Sequence, residues 1–133
     1  MIYYDYYSKV TIFESAPLNV FFNQLYTSLI NVLGETKVRD NLLIDGKVAL
    51  LLQEQPVPPK YNKIELSTND LEIFKYLKTN AKILPIKDYT ITDGRLVVTT
   101  NINFVVYINY VESTMTTYNH MGLVKVRHQS EII

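Results

Sequence analysis

The chain has 133 residues, with 13 Lys and Arg against 13 Asp and Glu, 47% hydrophobic side chains and no cysteine. That length suits one globular domain with a single core, and the missing cysteines exclude disulfides, thiolate chemistry and cysteine-ligated metal centres. The formal net charge of +0 supplies no global field toward nucleic acid, an acidic membrane or an anionic substrate, so any such binding has to be local.

No run of about 18 or more uncharged apolar residues occurs, and Met1-Ile-Tyr-Tyr-Asp has no basic segment ahead of an apolar one. Neither a membrane span nor a secretory signal is expected, and the location read from this is cytoplasmic. Ile, Asn, Lys and Tyr are abundant, Ala stands only at positions 16, 49 and 81, and Lys outnumbers Arg ten to three. These are amino acids of A+T-rich codons, and they suggest a low-G+C bacterium or one of its phages.

In chain order, residues 1–13 carry Tyr3, Tyr4, Tyr6 and Tyr7 beside β-branched Val10, Thr11 and Ile12, which predicts an extended arm. Ser15-Ala-Pro17 places a cap and a first-turn proline ahead of Leu18, Phe21, Phe22, Leu25, Leu29, Ile30 and Leu33. Their three- and four-residue spacing predicts a helix over 18–33, stopped by Gly34. Leu42-Leu43-Ile44 predicts a short apolar strand, Asp45-Gly46-Lys47 a turn, and Val48 to Gln53 a helix. Gln55-Pro56-Val57-Pro58-Pro59 cannot be regular structure, because three prolines remove donors and bias their predecessors away from helix. Lys63-Ile64-Glu65-Leu66 predicts a second strand, and Ser67-Thr68-Asn69-Asp70 a cap for a helix containing Leu71, Ile73, Phe74, Tyr76 and Leu77.

From Lys82 the hydrophobic period falls toward two. Residues 82–92 read as a strand pair or a strand broken at Pro85, Asp93-Gly94 as a hairpin turn, and 95–99 and 103–111 as strands. Ser113 to Asn119 is polar and Thr-rich, which predicts a loop, and Met121 to Arg127 predicts a last edge strand. The fold class expected is α/β (α+β): a small mixed sheet flanked by helices, with a mainly β second half. It forms one domain over 1–133, divided into the arm 1–13, a core 18–110 and a tail 111–133. The residues expected to share its core are Leu43, Ile44, Val48, Leu51, Ile64, Leu66, Phe74, Leu77, Val106 and Ile108.

The order helix, apolar strand, glycine turn, helix, proline loop, strand with an acidic residue, helix, strand series resembles the minimal nucleotidyltransferase fold over roughly 22–110. The pieces that carry the resemblance are Leu43-Ile44-Asp45-Gly46-Lys47-Val48-Ala49-Leu50, Pro56-Val57-Pro58-Pro59-Lys60 and Lys63-Ile64-Glu65-Leu66. The resemblance implies two carboxylates one residue apart on a strand, facing one side and holding divalent metal against a triphosphate. Here Lys63-x-Glu65 supplies one of them, and a lysine puts positive charge where the cation belongs. Lys47 stands where a small residue would let backbone amides reach the phosphates, and no Asp or Glu occurs from Arg95 to Val111 to serve as a third ligand. Gly46, Lys47, Lys63 and Glu65 therefore mark a degenerate motif, with no catalytic residue, no metal and no cofactor expected.

Each signal has a plainer reading beside it. Gly46 also fits an ordinary turn, Glu65 a solvated strand residue, and Lys47, Lys60 and Lys63 the background of a lysine-rich chain. His120 and His128, eight residues apart, fit no familiar metal spacing and read as ordinary surface residues. Tyr3, Tyr4, Tyr6 and Tyr7 put aromatic groups on both faces of an extended segment, which fits a covered edge strand or a segment docking on a neighbour. With Ile132 and Ile133 they are the candidate interface residues. The function expected is that of a non-catalytic structural, assembly or protein-interaction module with other protein subunits as partners, in a phage virion or the cytoplasm. Membrane and nucleic acid are not expected as partners. The alternatives are an active, toxin-type nucleotidyltransferase and an antitoxin-like regulatory partner.

Overall fold

The computed structural model describes residues 16–53, 63–80, 86–92, 94–100, 104–120 and 124–132. The first helix, α1, spans Ala16–Leu33. Its residues Phe21, Phe22, Leu25, Tyr26 and Leu29 are buried, as their spacing predicts. Gly34, at φ 96°, returns its N–H to Ile30 O at 2.9 Å and at the same time occupies the N-cap of α2, Glu35–Asn41. The sequence gives no periodic signal for α2, since Val38 is its one apolar residue; that side chain is fully buried and holds the helix to the core.

Strand β1, Leu42–Asp45, is buried at all four positions. It runs straight into α3, Gly46–Leu52, so the expected three-residue turn is a single glycine at φ 65°. Strand β2, Lys63–Thr68, continues two residues past its expected end. Ser67 and Thr68 belong to the sheet, and Asp70 alone caps α4, Leu71–Thr79, accepting from Glu72 N at 2.9 Å and Ile73 N at 3.2 Å. Then follow β3 (Ile86–Thr92), β4 (Arg95–Thr100) and β5 (Val105–Tyr110). Gly94, at φ 72°, closes the β3–β4 hairpin, with Thr92 paired to Arg95.

Two strands complete the sheet, β6 (Thr117–His120) and β7 (Val124–Arg127), before a short 3-10 turn at Gln129–Glu131. Strand β6 begins inside the stretch expected to be loop. Strand β7 is not an edge strand: the order is β3-β4-β5-β2-β1-β7-β6, and β7 lies between β1 and β6. The sheet is mixed, with β2 parallel to β5 and β1 parallel to β7 and the other neighbours antiparallel. The mixed α/β architecture expected from the pattern of elements is thus the one observed.

Alternation divides the sheet into two faces. One carries Leu42, Ile44, Ile64, Leu66, Leu96, Val98, Val106, Ile108 and Val126, all buried. With α1 and α4 these residues form the core. Tyr26 is buried with them and satisfies its hydroxyl on Leu42 O at 3.0 Å. Of the ten expected core residues eight share this core; Leu43 is buried on the opposite face of the sheet, beside Ser67, and the side chain of Leu51 lies outside the described set. The second face carries Asp45, Lys63, Glu65, Ser67, Arg95, Tyr107, Asn109 and Arg127, by the register that aligns Asp45 with Glu65, Glu65 with Tyr107 and Arg95 with Asn109. No helix among the described residues is long and apolar enough to cross a membrane. The arm 1–13, Lys60 and Ile133 lie outside the described residues.

Candidate functional site

The β1–α3 junction is where the expected motif falls. Asp45, last residue of β1, is buried and engaged through both oxygens. Its Oδ1 accepts the Gly46 N–H at 2.8 Å, while Oδ2 accepts the Ser67 hydroxyl at 2.6 Å and Arg127 Nη1 at 3.1 Å. Three strands, β1, β2 and β7, are thereby tied through one carboxylate. Burial opposes the charge on Arg127, but the hydrogen bonds and fields of Asp45 and Glu131 outweigh it and hold the guanidinium above its ordinary value.

Arg127 also reaches Glu131 through Nε at 3.3 Å. Glu131 accepts the Thr116 N–H at 2.8 Å and the Thr116 hydroxyl at 3.1 Å. These bonds, led by the Thr116 N–H and joined by Arg127, lower the Glu131 carboxyl below its ordinary value against a smaller effect of burial. Gln53 completes the arrangement: its Nε2 donates to Ala49 O and Arg127 O, both at 3.0 Å, and its Oε1 accepts Gln129 N at 3.0 Å. The end of α3 and the chain after β7 are thus held by one amide. Ile132 follows, half-buried and packed against the core.

Of the expected motif residues, the structure brings Gly46 and Glu65 together. The Glu65 carboxylate lies against the Gly46 backbone, where a Cβ would collide with Oε2, so position 46 requires glycine both for its positive φ and for this contact. Lys47 is exposed. Lys63 shares a face with Glu65, but its Nζ turns toward β5, 5.7 Å from the centre of the Tyr107 ring. Asp45 and Glu65 are directly opposed carboxylates, yet among the described residues no three acidic or histidine side chains gather in metal-binding range. His128 serves locally, its Nδ1 accepting the Ser130 N–H at 3.1 Å to cap the 3-10 turn.

Sequence reasoning missed the hub itself. Ser67 and Arg127 stand 22 and 82 residues from Asp45, whose carboxylate they share, and no local spacing announces them. The one available signal is a carboxylate ending an apolar strand, a position that demands a partner when buried. Comparison with protein families, curated proteins and solved structures finds no match for the chain.

Proposed function

We propose that the chain is a non-catalytic domain on a nucleotidyltransferase-like plan, working as a protein-interaction or assembly module. The observation that carries this reading is the state of the carboxylates at the β1–β2 end of the sheet. Asp45 has both oxygens committed to Gly46, Ser67 and Arg127, and Glu65 is accompanied on its own strand face by Lys63 instead of a second acid. A cationic side chain two residues from Glu65 on β2 opposes a divalent ion there, and a guanidinium already pairs with the opposed Asp45. The network ties β1, β2 and β7 together, and that structural use of Asp45 supports the non-catalytic reading. An A+T-rich composition makes a phage particle the preferred setting.

Two measurements test this. Mg²⁺ or Mn²⁺ with each nucleoside triphosphate and an RNA or protein acceptor should give no label transfer; incorporation that vanishes in Glu65→Ala would overturn the non-catalytic reading. Native mass measurement should show species above the 15.4 kDa protomer. A protomer that stays monomeric at all concentrations, alone and with the products of adjacent genes, would overturn the assembly role.

A further inference from the structure

The polar face of the sheet is not uniform. On the β1 side its acids are turned inward, Asp45 into the Arg127 network and Glu65 against Gly46. On the β5 side two cations converge on one ring. Arg95 of β4 places Cζ 4.8 Å from the centroid of Tyr107, and Lys63 of β2 places Nζ 5.7 Å from it. By register Arg95 and Lys63 flank Tyr107 on opposite diagonals, one residue pair ahead and one behind. Both cations are exposed, and neither has a carboxylate partner among the described residues. Arg95 Nε donates to Asn109 Oδ1 at 2.7 Å, which orients the guanidinium and engages the Asn109 oxygen. The same strands bury Leu96, Val98, Val106 and Ile108 of the opposite face, whereas Val97, Val105 and Tyr107 here are half-buried.

We propose that this face binds a single-stranded nucleic acid, with a base on the Tyr107–Arg95 platform and the flanking phosphates on Lys63 and Arg95. An aromatic ring on an inner strand offers a π-face to any base, and the guanidinium beside it, 4.8 Å from the ring centre, adds a second planar group. The two cations and the Asn109 amide N–H groups are donors that match phosphate and base carbonyl acceptors; the Tyr107 hydroxyl can donate or accept, and the Glu65 carboxylate, paired opposite Tyr107, lies against Gly46. The donors and the ring are spread over β2, β4 and β5, so a free mononucleotide would meet few of them, and a strand that meets several points at once is the better fit. This local charge is compatible with a net charge of zero overall. The proposal does not depend on the assembly reading, and an obligate oligomer or a monomer could equally display the face.

The test is fluorescence anisotropy of the full chain with fluorescein-labelled U10 and dT10 at 50 mM salt, with a duplex of equal length, UMP and an octaglutamate peptide as comparisons. The expected result is saturable binding of the single strands over the duplex and UMP. Two phosphate contacts should make that binding weaken roughly sevenfold between 50 and 200 mM salt. Tyr107→Leu should weaken it by about fivefold to a hundredfold, the range for one stacked base. Arg95→Gln and Lys63→Gln, at exposed positions that leave folding intact, should each reduce the salt slope. Absence of saturable binding, equal affinity for UMP or duplex, or indifference to Arg95→Gln and Lys63→Gln would overturn the proposal. Tighter binding of octaglutamate, abolished by the same substitutions, would overturn it in favour of an acidic protein segment.

Discussion

Removing the Asp45 carboxylate probes the one group that joins β1, β2 and β7. In Asp45→Ala the Ser67 hydroxyl and the Gly46 N–H lose their acceptor, and Arg127 keeps only Glu131. The Asp45 side chain is 11% exposed and that of Arg127 21%, so the pair is mostly but not wholly withdrawn from water. Breaking a fully buried pair costs about 3–5 kcal/mol, and an orphaned neutral donor about 1–3 kcal/mol. These contributions overlap, because Ser67 can rotate its hydroxyl and Arg127 can reach solvent, and a total of about 3 kcal/mol follows. With a urea slope of about 2 kcal/mol/M for a domain of this size, the midpoint should fall by about 1.5 M. A cycle with Arg127→Met separates the pair from the rest: a coupling of about 1–2 kcal/mol is expected, so that Arg127→Met costs less once Asp45 is gone. Additive costs for the two substitutions, or an Asp45→Ala shift below about 0.5 kcal/mol, would show that the network does not hold the strands together.

Other perturbations give separate outcomes. Gly46→Ala should destabilise by at least about 1–2 kcal/mol from its positive φ alone, with more from displacement of Glu65, and urea unfolding of the double variant with Glu65→Ala should recover only the second part. Ile64→Ala should cost about 2–5 kcal/mol, read as a shift in unfolding midpoint; an unchanged midpoint would contradict the burial of β2. For Glu131 the folded carboxyl is held below its ordinary value, chiefly by the Thr116 N–H, so its contribution is complete above the unfolded pKa and fades as pH falls through the folded one. Stability against pH should therefore decline on the acid side of the ordinary carboxylate range, and Glu131→Gln should flatten that part of the curve.

Local signals made the frame legible. Leu25 and Leu29 repeat at helical spacing and are buried on α1, Gly34 ends that helix, and Gly94 turns β3 into β4. What failed was each case in which tertiary contact overrode local chemistry. The segment Glu35–Asn41 is polar and short, yet Val38 fixes it as a helix because one buried side chain and an adjoining strand suffice. Ser67 and Thr68 look like helix caps, but the Ser67 hydroxyl is used inside the sheet by Asp45, and Thr68 Oγ1 accepts the N–H of Asp70, the residue that caps the helix, at 3.1 Å. Thr117 to His120 resembles loop until β7 is present to pair with it.

The candidate site was legible in position and illegible in content, and the reason is the range of its interactions. Resemblance directs attention to Lys63-x-Glu65, two residues on one strand, because a strand's alternation is readable from sequence alone. The residues that decide the chemistry stand on neighbouring strands. Whether Asp45 is a free acid or a neutralised one depends on Arg127, and whether Lys63 faces a carboxylate or an aromatic ring depends on Tyr107. Parallel pairing of β1 with β7 and of β2 with β5 brings those partners in from the far end of the chain. In such a sheet the charge of a site is a property of its register. Substituting Arg127 or Tyr107 should therefore alter the surroundings of Asp45 and Lys63 from outside the segment 43–66 that carries the resemblance.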